Sequence, residues 1–108
     1  MELNDLKKEL IWKHFIDITQ IPRPSGKEEN IRNHMIFWAL ARKFEHKTDK
    51  TGNLLIKVPS TSGFEKSQTI VLQGHLDMVT EKNSDSKVDP SKDPLDVYVE
   101  DGDRKSTR

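Results

Sequence analysis

His75 and Asp77 stand two residues apart, just after the run Thr69-Ile70-Val71-Leu72-Gln73-Gly74. A neutral imidazole is the commonest side-chain metal ligand. A carboxylate on its other nitrogen fixes the tautomer and raises the basicity of the ligand. In an extended chain, residues two apart project to the same side, so these two groups would share one edge of a sheet. The carboxyl end of a strand is where ligands bind in open α/β sheets. The pair reads as half a metal site. The plainer reading is a strand-end histidine followed by an aspartate that begins a turn. A bare His-x-Asp arises by chance in roughly one chain in ten of this length at average composition, so the tripeptide alone leaves both readings open.

The elements that must position the pair follow from the hydrophobic pattern. Thr69 to Gln73 is a short β-rich apolar run, which predicts a buried strand. Before it, Leu54-Leu55-Ile56-Lys57-Val58 predicts another strand, and His46 to Lys50 a short edge strand. Thr51-Gly52-Asn53 carries turn chemistry, so these two strands should form a hairpin. Pro59 to Ser67 reads as a loop. Nearer the start, Leu3, Leu6, Leu10, Phe15 and Ile18 recur near helical spacing, with Ile11, Trp12 and Ile16 widening the stripe. This predicts an amphipathic helix from about Asn4, a plausible cap, to about Thr19. Trp12 reads as a core aromatic and His14 as a boundary residue.

Ile21-Pro22-Arg23-Pro24-Ser25-Gly26 breaks that helix, because two prolines restrict the backbone at and before them. Ser25 and Glu28 match the S-x-x-E capping box, which predicts a second helix starting at Ser25 and running to about Lys43 or Phe44. Ile31, Met35, Trp38 and Ala39 would line its apolar face. His34 has no partner at i+4 and reads as no ligand. Arg23 beside the proline-rich turn has a guanidinium suited to holding a carboxylate, with a structural role in the loop as the plainer reading.

Residues 81–94 are Lys, Asp, Ser and Pro with almost nothing to bury, and read as a solvated loop. Leu95, Val97 and Val99 alternate with polar residues, a strand pattern, and Asp101-Gly102 is a hairpin-turn signal. The residues that follow, Asp103-Arg104-Lys105-Ser106-Thr107-Arg108, carry no apolar side chain. The hairpin therefore reads as opened and not closed.

Composition bounds the remainder. The 108 residues leave room for one small domain, and with 32% hydrophobic against 33% charged residues the apolar fraction is low for a self-sufficient core. Eighteen basic and eighteen acidic residues cancel, which leaves no electrostatic footprint for nucleic acid or an anionic membrane. No cysteine is present, so no disulfide framework or thiolate site is available. Glu2, Asp5 and Glu9 stand where a basic leader would, and no apolar run has membrane-spanning length. A soluble, cytoplasmic protein is the expectation.

Five stretches taken together resemble a known family. They are Ile21-Pro-Arg-Pro-Ser25, Thr51-Gly-Asn-Leu-Leu-Ile56, Gly74-His-Leu-Asp-Met-Val79, Glu81-Lys-Asn83 and Asp101-Gly-Asp103. In this order and over nearly the whole chain they look like the N-terminal part of the aminoacyl-histidine dipeptidases, a branch of cytosolic non-specific dipeptidases among the zinc metallopeptidases. The order helix, helix, strand, strand, strand predicts an α/β fold class, two N-terminal helices packed on a small mixed sheet, and the resemblance implies that this is an incomplete portion of a zinc-peptidase catalytic domain. Residues 1–80 would be that portion, and 81–108 a polar loop, short strand and truncated tail. It implies that His75 is a metal ligand and that Asp77 orients it. It also implies a two-metal zinc site, with cobalt or manganese as possible substitutes, a dipeptide substrate and homodimeric full-length relatives, with neither nucleic acid nor membrane as a partner.

The same resemblance exposes a departure. The family carries a metal-bridging aspartate further on, then a Glu-Glu pair that includes the general base, then further Asp and His ligands, and none of these is in the 108 residues. A catalytic zinc normally has three protein ligands and an open position, which one histidine with a supporting aspartate does not supply. The expected function is a metallo-dipeptidase that hydrolyses Xaa-His and other dipeptides by metal-activated water, present here as a truncated and inactive fragment. The alternative is a small non-catalytic α/β module that pairs with a partner chain. As a fragment of that family, the chain is expected to leave Ile70, Val71 and Leu72 without covering partners and open to pairing with other chains.

Overall fold

The computed structural model describes residues 9–100 and 103–107. In chain order the described elements are α1 (Leu10–Thr19), α2 (Glu29–Ala41), β1 (Glu45–Thr48), β2 (Leu54–Lys57), β3 (Asp96–Glu100) and β4 (Asp103–Thr107). The chain divides into one unit of Met1–Ile31 with Leu76–Arg108 and a second of Arg32–His75. The strands form two antiparallel pairs, β1–β2 and β3–β4. A lone parallel bridge joins Pro24 to Met78. The α/β character expected from the sequence holds, but the expected small mixed sheet is replaced by two separate antiparallel pairs, each joining strands adjacent in the chain.

In the first unit, α1 buries Ile16 and Thr19 and half-buries Trp12. Positions 12, 16 and 19 share one helical face. The stripe expected through Leu10 is offset from this face, since Leu10 and Ile11 stand 67% and 70% exposed. The ring of Trp12 meets that of Phe15 edge-on at 5.9 Å. Asn4 and the helical turn expected after it lie outside the described residues. The helix closes through amides of Gln20 and Ile21 donating to Asp17 and Ile18 carbonyls, each at 3.3 Å, and Pro22 prevents continuation. Thr19 then serves two partners. Its hydroxyl donates to the Ile16 carbonyl at 2.6 Å, and its own carbonyl accepts from the Leu95 amide at 3.0 Å. The end of α1 is thereby tied to the start of β3, where Val97 is buried.

The β3–β4 hairpin corrects the reading of an unclosed strand. Its register runs from Asp96 opposite Thr107 to Glu100 opposite Asp103. A ladder is made by backbone N–H and C=O groups, so the lack of apolar side chains in β4 does not prevent pairing. Residues 81–94 form a loop as expected, with one correction: Pro90 is fully buried. The loop is folded around Asp89, whose Oδ1 accepts from the Ser91 amide at 3.0 Å and hydroxyl at 2.6 Å. These bonds, with smaller help from Lys92 and Lys82, hold the Asp89 carboxyl below the usual carboxylate range.

In the second unit, the helix α2 ends in a Schellman motif. The Phe44 amide donates to Ala39 at 2.9 Å and the Lys43 amide to Leu40 at 3.0 Å, with Lys43 left-handed at φ 58°. Arg42 lies 4.2 Å over the Trp38 ring, and Trp38 meets Phe44 at 5.7 Å. The predicted hairpin follows, with Glu45 opposite Lys57 and Thr48 opposite Leu54. Its turn is organised by Asp49, which accepts from the amide and hydroxyl of Thr51 and the amide and side-chain amide of Asn53 at 2.8–3.0 Å. Gly52 is required twice over. Its φ is 92°, and a Cβ there would meet Arg32 Nη2 at 2.5 Å. That close approach lets Arg32 Nε donate to the Gly52 carbonyl at 2.8 Å.

Thr69 to Gln73 overturns an expectation. These residues join no ladder among the described residues, and Ile70, Val71 and Leu72 are 82%, 79% and 93% exposed. A strand needs a neighbour for its backbone groups, and β-rich side chains do not supply one.

Candidate functional site

Asp77 is held by the turn that breaks the two helices. The Met78 amide donates to the Arg23 carbonyl at 2.8 Å, and Pro24 bridges Met78 in parallel. That short pairing sets residues 23–25 beside residues 77–78. The two prolines explain why the turn can do this: Pro lacks the N–H donor, while its carbonyl and those of its neighbours stay available. Gly26 at φ 84° then turns the chain away, and the Lys27 amide closes the turn on the Pro24 carbonyl at 2.9 Å.

The consequence is a different role for Ser25 from the one its spacing predicts. The helix does not start at Ser25. It starts at Glu29, and Glu28 accepts the Gly26 amide at 2.6 Å. The Ser25 hydroxyl instead donates to Asp77 Oδ2. The capping box does not form because Gly26 inserts a left-handed step between Ser25 and the helix start at Glu29; the hydroxyl proton, which a cap would not use, goes to the Asp77 carboxylate. No local pattern could have revealed this bond, since its partners are 52 residues apart.

Arg23 completes the surroundings of Asp77. It is half-buried, and burial pushes its guanidinium below the ordinary value, while the Asp77 carboxylate acts in the opposite direction. The suggestion that Arg23 suits a carboxylate is therefore met by a named partner. Asp77 is itself half-buried. Its setting is a hydroxyl donor, a nearby cation and a backbone bridge one residue on. That arrangement can hold a carboxylate in one orientation.

His75 lies in the other unit, exposed, just after Thr69–Gly74, which joins no ladder among the described residues. His14 and His34 are half-buried on α1 and α2. Among the described residues, no group of three or more His, Cys, Asp or Glu side chains is placed to hold a metal ion. Of the two motif residues, His75 is an exposed imidazole and Asp77 a half-buried carboxylate bound by the Ser25 hydroxyl. Among the described residues no helix is long and apolar enough to cross a membrane.

Comparison with known proteins agrees with the motifs. No family model matches the chain. It is 40% identical over 99 residues, 92% of its length, to cytosol non-specific dipeptidase of Escherichia coli. Its structure superimposes with a TM-score of 0.91 and 36% identity on the crystal structure of aminoacylhistidine dipeptidase from Vibrio alginolyticus, over 99% of this chain. The chain spans about a fifth of each protein: 20% of the first and 22% of the second. It is therefore similar, in sequence and in backbone, to a short segment of dipeptidases.

Proposed function

We propose that this chain is a portion of the catalytic domain of a cytoplasmic aminoacyl-histidine dipeptidase, a zinc hydrolase acting on Xaa-His and other dipeptides. In this reading His75 is one metal ligand and Asp77 is the carboxylate that orients its imidazole. The observation that carries the reading is the likeness to dipeptidases over nearly the whole chain, 40% in sequence and 0.91 in TM-score, with His75-Leu76-Asp77 inside it. The remaining metal ligands and the general base have no counterpart among the 108 residues, so the chain alone supplies a ligand and its support and no complete reaction centre. Zinc is the expected metal, with cobalt or manganese as substitutes. Homodimerisation belongs to the longer relatives in this reading.

The test is metal binding followed at His75. Zinc added to the 108-residue chain should perturb the His75 ring resonances weakly and reversibly, and His75→Ala should remove the response. No turnover of an Xaa-His dipeptide should accompany it. Absence of any zinc response at His75 would sink the reading. Turnover by the pure chain that His75→Ala abolishes would show that the centre is complete after all.

One observation favours a second reading, a non-catalytic α/β module that pairs with a partner chain. It is the exposure of Ile70, Val71 and Leu72 at 82%, 79% and 93%. An exposed apolar, β-rich stretch without a ladder can be recruited by strand addition. Analytical ultracentrifugation separates the readings: a module of this kind would form a discrete complex blocked by Val71→Lys, with no zinc response at His75.

A further inference from the structure

We infer that Ser25 is a positioning residue for Asp77: its hydroxyl fixes the rotamer of the carboxylate that serves His75. The inference rests on the dipeptidase reading for the role of Asp77, and on the structure for the role of Ser25. Three observations converge on it. The Ser25 hydroxyl donates to Asp77 Oδ2. The backbone around the bond is set independently, by the Met78 amide on the Arg23 carbonyl at 2.8 Å and by the parallel bridge of Pro24 to Met78. Arg23, half-buried, adds its charge from the same turn.

The division of labour follows from these contacts. The backbone bridge places the Cα of Asp77, and a placed Cα still leaves the side chain a choice of staggered rotamers. A hydroxyl bound to one carboxylate oxygen removes that choice. An ionised carboxylate offers about four acceptor sites on two oxygens, so the Ser25 bond occupies only part of its capacity. Orientation of this kind is what supporting carboxylates contribute to histidine ligands. The side chain of Ser25 is exposed, so a threonine methyl has room there and the hydroxyl can be kept while the residue is changed.

The experiment measures the Asp77 rotamer in the 108-residue chain at neutral pH, from its Hα–Hβ scalar couplings, together with hydrogen exchange of the Met78 amide. The unsubstituted chain and Ser25→Thr should show the unequal couplings of a single rotamer. Ser25→Ala should show couplings averaged toward equality, while Met78 keeps its protection in all three. A single rotamer retained in Ser25→Ala overturns the inference, as does failure of Ser25→Thr to keep it. Loss of Met78 protection in Ser25→Ala overturns it too, because the serine would then be supporting the backbone. An unprotected Met78 in the unsubstituted chain removes the bridge on which the inference depends, and counts against it. Failure of the dipeptidase reading looks different: zinc then leaves His75 unperturbed in every variant while the Asp77 couplings still respond to Ser25.

Discussion

Residues 32–75 contain two β-rich stretches with opposite fates. The hairpin β1–β2 closes on a turn in which Asp49 accepts four hydrogen bonds from Thr51 and Asn53, and in which Arg32 reaches the Gly52 carbonyl. The stretch Thr69–Gln73 is more apolar and uninterrupted, yet it pairs with nothing among the described residues. Both have the side chains of strands. Only the first has its partner across a five-residue turn, where closing the loop costs little entropy. A short strand is therefore decided by the nearness of its ladder partner more than by its own composition. The polar strand β4, one turn from β3, makes the same point from the other side.

The largest effect should come from breaking the turn at its tightest point. Gly52→Val places a β-branched side chain at a φ of 92° and drives its Cβ to within 2.5 Å of Arg32 Nη2. The left-handed backbone alone costs about 1–2 kcal/mol, and displacing Arg32 adds to it. Chemical denaturation should show a loss of about 2 kcal/mol or more, with amide protection lost across β1–β2. A neutral result would mean that the turn does not organise the hairpin.

Lys43 offers a gain in place of a loss. It occupies the left-handed position of the helix cap that leads into β1, at φ 58° and exposed, where glycine avoids the Cβ penalty. Lys43→Gly should stabilise the chain by about 0.5–1 kcal/mol, the steric relief being partly offset by a more flexible unfolded state. An unchanged denaturation midpoint would show that the cap is not under strain.

Asp49 sharpens the comparison through pH. Hydrogen bonds from the Asn53 side chain, then the Asn53 amide and Thr51, lower its pKa from 3.8 to about 2. The unfolded chain then takes up the proton first, so the contribution of Asp49 is fully present above about pH 4 and is lost as pH falls through about 2. Exchange of the Asn53 amide should accelerate over that window, beyond the intrinsic pH dependence, and Asp49→Asn should flatten the excess. The exposed stretch should show no such step.

The smallest effect is expected at Val71. It is 79% exposed, so Val71→Lys should change the stability of the monomer by no more than about 0.5 kcal/mol, while raising the concentration at which the chain self-associates. A substantial loss of stability would show that Thr69–Gln73 has a partner in solution and would close the gap between the two regions.

The helices, the β1–β2 hairpin with its Gly52 turn, and the dipeptidase likeness were all legible from residue types and spacing. These features depend on neighbours a few residues away, and local pattern records such neighbours. The tertiary structure alone decided that Ser25 donates to Asp77 and does not cap the helix, that Pro90 is buried, that the polar run Asp103–Thr107 completes a hairpin, and that Thr69–Gln73 joins no ladder among the described residues. Each of these depends on which backbone or carboxylate group arrives from elsewhere in the chain to accept a bond or to cover a side chain. A serine three residues before a glutamate reads as a helix cap, but here the left-handed step at Gly26 puts the helix start at Glu29, and the serine hydroxyl donates to a carboxylate 52 residues along the chain.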